Sequence, residues 1–447
     1  RHPDHAHRGG RLSQLSKTGQ GGASMSNKAD ANLVTRALEH IDRHRLVDLV
    51  VQLVNVPSPT GSEGDMARAL HEVLRGANFR STLQPIGDQR YNAVGILEGA
   101  GRGRSLMFNG HLDTSFGPEQ ASRGIGYRCE GTVVDDEWIY GMGSFNMKSA
   151  LATYVVASEA IQAAGIKLAG DVVIAGVCGE IEKAPVNHFD GPSYQGYGVG
   201  TKYAITHGAV ADYCILGEPT NMMLIPRHCG TTWLKIRVPG VLIHTAWSKP
   251  EQNAISNATL LLDALHKWMP EYIERNAVGD FRPKVNIAAI EGGWPWRGAR
   301  TPDDCCIYLD VRTLPDVLPV QAYNEVRQLV RGVVSKHPAL TGTTVDIYVS
   351  APGTSIPDDH ALIKTIVGAH TEQLGTAPEF GMETWYSDAA HMNRYGIPTV
   401  NYGSAGRLRS GGAGFSTHQG EHVHIGDMVD ITRVYIELLL TICGAVD

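Results

Sequence analysis

From Asn32 to Val56 the apolar residues Leu33, Leu38, Ile41, Leu46, Leu49, Val50, Leu53 and Val54 recur at helical spacing, which predicts a helix. The turn residues of VPSPTGSEG follow, and Asp65–Gly76 reads as a second helix. Short β-rich runs come next at Tyr91–Leu97, Ser105–Asn109, Asp171–Cys178 and Ala211–Leu216. Between the second and third of them lies a long helical segment, Met147–Ala164. Strands alternating with helices predict an α/β layer fold with a mainly parallel sheet. The character changes near residue 225. TTWLKIRVPG alternates as an antiparallel strand does, Ala254–Trp268 and Val320–Ser335 are helical, and Lys284–Ala289, Cys305–Leu309 and Thr344–Val349 read as strands. That β-α-β-β-α-β order is the ferredoxin-like arrangement. A helix at Ile363–Leu374 and a strand in IPTVNYG return to the first pattern. The chain is thus expected to hold a discontinuous first domain, residues 25–225 and 350–447, interrupted by an α+β module at 226–349.

Composition narrows the function classes. The chain has 447 residues and a formal net charge of −7. Residues 1–24 are polar and Gly/Ser-rich, carry +3 and precede Met25. They are read as a leader outside the fold, which leaves the remainder at −10. A nucleic-acid binder normally shows a basic patch, so no nucleic-acid partner is expected. No apolar run reaches the ~18 residues needed to span a bilayer. Seven cysteines without metal-finger spacing fit free thiols and a cytoplasmic protein.

Chemistry-bearing residues gather at predicted strand ends. MFNGHLDTS ends a β-run on His111-Leu112-Asp113, two side chains that can leave the strand on one side. Taken alone, this equally describes a surface loop with an incidental His and Asp. IYGMGSFNMKSAL puts Asn146 just before a helix, DVVIAGVCGEIEKAP brings Glu180 and Glu182 to a second strand end, CILGEPTN brings Glu218 to a third, and GFSTHQGEHV supplies His418. In open α/β sheets, ligands collect at the carboxyl ends of strands. Imidazole and oxygen donors without thiolates suit zinc, manganese or cobalt.

In this order the motifs resemble those of the aminoacylase/carboxypeptidase G/succinyl-diaminopimelate desuccinylase family of metallohydrolases, over nearly all of residues 32–447. The resemblance implies an α/β, zinc-exopeptidase-like catalytic domain with an inserted ferredoxin-like dimerisation (lid) domain. It implies cleavage of a C–N bond by two co-catalytic metals in a homodimer. It makes His111 and Glu218 ligands of the first metal, Asp113 the group that orients His111, and Glu180 the general base. His418 matches a ligand of the second metal. His244, in VPGVLIHTAW, matches the residue that reaches across the dimer to polarise the substrate; a hydrogen-bonded strand-end histidine is the plainer alternative.

Two departures change the expected metal count. The family's bridging aspartate is Asn146 here, and the second glutamate of its Glu-Glu pair is Ile181. An amide offers one useful oxygen and no charge, and isoleucine offers no lone pair. Two divalent ions ~3.5 Å apart repel by roughly 19 kcal/mol at an effective dielectric of 20. With two anionic ligands missing, one divalent metal held by His111, Asn146 and Glu218 is expected. A register shift bringing in Glu182 is the way a second could be restored.

The loops around the site suggest a substrate class. EGGWPWRGARTP carries Trp294, Trp296 and Arg300, METWYSDAAHM carries Trp385 and Tyr386, and GSAGRLRSGGAGFSTH carries Arg407 and Arg409. Aromatic faces with guanidinium groups suit a flat anionic ligand, although tryptophans under a loop and solvated arginines read the same way. The expected substrate is a small carboxylate, aromatic in the leading reading. Within the family, the resemblance in the altered metal set implies hydrolytic deamination, as of 5-nitroanthranilate to 5-nitrosalicylate plus ammonia. N-acyl-amino-acid or dipeptide hydrolysis, and ligand binding without catalysis, are the alternatives.

Overall fold

Two helices stand where the pattern predicted one: in the computed structural model, Ala31–Leu38 ends and Arg43–Val54 begins afresh. The break is local chemistry. The Asp42 carboxylate accepts from the Arg45 backbone N–H at 2.9 Å and caps the second helix, satisfying a donor that a helix start otherwise leaves open. Asp42→Ala should lower stability by about 1 kcal/mol, read as a shift in the urea midpoint at unchanged m-value. The structure describes residues 28–121, 128–415 and 418–446, so residues 1–24, expected to be a leader, lie outside the described residues.

The main sheet has nine strands. Its centre is parallel: Val172–Val177, Leu106–His111, Tyr213–Leu216 and Thr399–Asn401 run side by side. These strands are buried along their whole length, as parallel strands covered on both faces must be. Alternate residues point to opposite layers. Phe108, Ile174 and Ile215 pack with the helices Ser149–Ala163 and Ile425–Ile442. Met107, Val173 and Cys214 pack with Val199–Thr206 and Ala389–Arg394. Antiparallel strands Arg80–Gly87 and Arg90–Leu97 extend one edge. Leu224–His228, Thr354–Ser355 and Phe380–Glu383, short segments without a clean period of their own, extend the other.

A second, antiparallel sheet has the order Val285–Gly292, Asp304–Thr313, Gly230–Pro239, Thr344–Ala351, with helices Ala254–Arg275 and Pro319–Val334 packed against it. This is the ferredoxin-like arrangement, with its own apolar core of Leu234, Ile236, Leu261, Leu265, Ile307, Leu309 and Val326. The first of these helices runs past Trp268 and through Pro270 to Arg275. Tyr272 explains the extension: it is buried, and its hydroxyl donates to the Arg312 carbonyl at 3.1 Å. All seven cysteines are free thiols. Among the described residues no helix is long and apolar enough to cross a membrane.

Candidate functional site

His111 is the last residue of Leu106–His111, Glu218 follows Tyr213–Leu216 by two positions, and Glu180 follows Val177 by three. Parallel neighbours deliver all three side chains to the same end of the sheet. One donor atom from each lies within 4.8 Å of the others, and all three residues are buried. The His111 Nδ1 sits 2.8 Å from the Asp113 carbonyl oxygen, to which it donates. That leaves Nε2 facing inward, 2.9 Å from the Asn146 Oδ1. Glu218 Oε1 is buried with no hydrogen-bond partner. An orphaned carboxylate oxygen beside an inward imidazole and an amide oxygen fits a divalent cation, whose charge would replace the missing partner.

Asp113 works differently from the implied orienter. Its carboxylate lies 3.7 Å from the His111 Nδ1, and its backbone carbonyl, not its side chain, takes that proton. The carboxylate instead accepts from the backbone N–H groups of Glu180 at 3.0 Å and Ile181 at 3.2 Å and from the Thr60 hydroxyl at 2.9 Å. Asp113 therefore pins the loop that presents Glu180.

Asn146 sits in a tight turn ahead of Ser149–Ala163, after Gly143 at φ 84° and with a cis peptide to Met147. Two residues hold this turn. Lys148 is buried and donates to the carbonyls of Leu53 at 3.1 Å and Val56 at 2.7 Å. Glu421 accepts from Gly143 N–H at 2.7 Å and Asn146 N–H at 3.4 Å. Glu421 is the residue sequence reasoning passed over. It ends the same H-x-x-E string whose histidine, His418, was read as the ligand. His418 is exposed and does not line the cleft, whereas Glu421 is buried and does.

Glu182 cannot shift into the site in this arrangement. Arg312, from the second sheet, grips it through both guanidinium arms, one at 2.7 Å, while also pairing with Asp310 at 2.8 Å. Ile181 and Glu182 both line the cleft, but the Glu182 carboxylate is held by Arg312.

The cleft over these groups measures about 720 Å³. Trp385 and Tyr386 line it, as do Phe145, Phe415 and the carboxylate residues Glu180, Glu182, Glu218, Glu383 and Glu421. The arginines do not. Arg407 pairs with Asp427 at 2.7 Å, and Arg409 pairs with Asp135. Arg300 belongs to the second sheet's loops, bridged through its backbone to His244. His244 itself caps a short turn, accepting from Ala246 N–H at 3.1 Å. Trp294 and Trp296 stack on each other, 5.8 Å apart, and face solvent. Among the described residues lining the cleft there is no lysine or arginine.

Burial dominates the electrostatics. It raises Glu218 to about 7, helped by Asp388 and opposed by His111. Burial and the neighbouring Glu218 and Asp388 carboxylates push Glu180 far above the carboxylate range. Burial disfavours a charged His111, but the Glu218 and Asp113 carboxylates outweigh it and raise its pKa. Glu421 is raised by burial to about 7 against its two N–H donors. A carboxyl raised above its unfolded value contributes stability at low pH that is lost as pH rises through the folded value. Metal-free protein should therefore lose stability between about pH 5 and 8. Urea midpoints at the two ends measure this, and Glu421→Gln should flatten the slope.

Comparison with known proteins agrees with the site. A family model described as "Peptidase family M20/M25/M40" matches residues 107–441. Succinyl-diaminopimelate desuccinylase of Gluconacetobacter diazotrophicus is 25% identical over 421 residues, covering 89% of this chain and 96% of its own. N-formyl-4-amino-5-aminomethyl-2-methylpyrimidine deformylase of Halalkalibacterium halodurans is 22% identical over 444 residues, covering 92% and 98%. Among solved structures, human carnosine dipeptidase 1 superposes with a TM-score of 0.71 at 14% identity, covering 93% of this chain and 99% of its own.

Proposed function

The chain belongs to peptidase family M20/M25/M40 and is a metal-dependent C–N hydrolase; on that premise we propose that it uses one divalent cation to deaminate a small aromatic carboxylate. 5-Nitroanthranilate, giving 5-nitrosalicylate and ammonia, is the specific substrate proposed. The observation that carries this reading is Ile181: an apolar side chain lines the cleft where a second anionic ligand would be needed, and Trp385 and Tyr386 line the same cleft. A flat ring finds apolar surface there.

His111, Asn146 and Glu218 would hold the cation, and their donor types suit manganese, zinc or cobalt. When bound, it supplies Lewis acidity and makes a water a competent nucleophile near neutral pH. Glu180, held by Asp113 at the mouth of the loop, takes the proton from the attacking water on its carboxylate and returns it to the departing nitrogen. A C–O bond forms at the ring carbon, the para nitro group takes up the charge, and the C–N bond breaks to release ammonia. Among the described residues lining the cleft there is no cation for the substrate carboxylate. His244 and Arg300, both outside this chain's cleft, are proposed to serve the site of a second copy in a cytoplasmic homodimer.

N-acyl-amino-acid or dipeptide hydrolysis is the second reading, supported by the desuccinylase and deformylase relatives. Binding without catalysis gives way, since the chain is a member of a hydrolase family and retains Glu180 beside the ligand cluster. One preparation offered 5-nitroanthranilate and N-acyl amino acids separates the two enzymatic readings. Ammonia from the first supports deamination; an amine from the second alone refutes it. Metal analysis should give about one ion per chain, and Asn146→Asp with Ile181→Glu should raise it towards two, because the pair restores the anionic ligands that offset cation repulsion.

A further inference from the structure

Tyr386 has a cavity on each side. One is the catalytic cleft; the other, about 550 Å³, lies between the two sheets. Its walls are the loop after Val172–Val177, the helices Val199–Thr206 and Ala389–Arg394, and the end of strand Thr344–Ala351. Three cations from three separate elements converge on it: Lys183, Lys202 and Arg394. No aspartate or glutamate is among its lining residues. None of the three side chains has an ion pair or hydrogen bond among the described residues. The nearest compensating charges are indirect. Lys202 feels the buried Asp388, whose carboxylate is taken by the Thr201 hydroxyl, and Lys183 feels Asp113 and Glu63, which are committed to the Glu180 loop and to Arg90.

This is unusual for a chain with Asp+Glu 46 against Lys+Arg 39. Lys183 is half-buried and Lys202 and Arg394 are exposed at the rim, so three like charges without a carboxylate partner border one hollow that stays open to solvent. Desolvation lowers the affinity of Lys183 and Lys202 for their protons, against the pull of the nearby carboxylates. The volume is that of a small-molecule pocket, and the rings of Tyr197 and Tyr348 add flat apolar wall beside the charges.

We propose that this cavity binds a compact polyanion, phosphate groups or clustered carboxylates on a small organic body, gripped by Lys183, Lys202 and Arg394. Such a ligand touches both sheets at once, and Tyr386, whose hydroxyl is 3.0 Å from the cavity-lining His391, stands between it and the catalytic cleft. The site does not depend on which C–N substrate the enzyme takes.

Calorimetric titration of the metal-loaded full chain with pyrophosphate and with citrate, at ionic strength held constant with NaCl, tests it. The expected result is saturable binding of one anion per chain. Affinity should fall at least tenfold in Lys202→Gln and further in the Lys183→Gln, Lys202→Gln, Arg394→Gln triple variant, with kcat unchanged in both. Tighter binding of pyrophosphate assigns the site to phosphates, and tighter binding of citrate to carboxylates. Loss of the signal at matched ionic strength overturns the proposal. So does equal affinity in the triple variant, which would place the anion on the catalytic metal. The variants' unliganded thermal midpoints, expected to be unchanged or raised by relief of repulsion, exclude misfolding as the cause.

Discussion

Glu180→Gln keeps the fold and the bound cation but slows hydrolysis by about 10²- to 10⁴-fold, the range for losing a positioned general base. The amide preserves shape and the backbone hydrogen bond to Asp113, because that bond uses the Glu180 N–H and not its side chain. It removes only the carboxylate able to accept the proton. The measurement pairs kcat with metal content on the same sample. A variant that loses metal in proportion to activity would make Glu180 a ligand instead, since its carboxylate also lies in the cluster with His111 and Glu218.

His111→Ala is expected to be more severe still. It removes the only imidazole of the cluster among the described residues and leaves the Asn146 side-chain oxygen without its partner. Metal affinity should fall by more than the ~10- to 100-fold that losing a supporting partner costs, and activity should reach background. Asp113→Asn provides the contrast. Its backbone carbonyl still holds the imidazole, while the loop carrying Glu180 and Ile181 loses an anionic acceptor. Its defect should therefore appear mainly in kcat, with metal content nearly intact. Dialysis against a chelator followed by metal analysis, alongside steady-state kinetics, tells the two variants apart.

Much of this site is legible in the sequence. His111, Glu180 and Glu218 each end a β-rich run, and the end of a parallel strand is a place the chain can be counted from. Trp385 and Tyr386 were legible as an aromatic pair and do line the cleft. The arginines were not, because a guanidinium near a site in sequence has a reach of several ångströms in any direction. Arg407 and Arg409 spend theirs on Asp427 and Asp135. Glu421 was hidden by its company, since a histidine three residues earlier was the more familiar ligand type. Only burial distinguishes them: His418 is exposed and Glu421 is enclosed.

The amino-acid order by itself determined the layering, the strand ends that carry donors, and the absence of carboxylates at positions 146 and 181. Those follow from periodicity and residue chemistry, which act over a few neighbours. The tertiary structure decided which donors share a partner. Glu182 was drawn away from the metal position by Arg312, 130 residues further along the chain, and Asp113 was turned from imidazole to loop. Three cations from distant segments were left facing one hollow. Pairings of this kind depend on distances set by the packing of two sheets, and no local pattern encodes them.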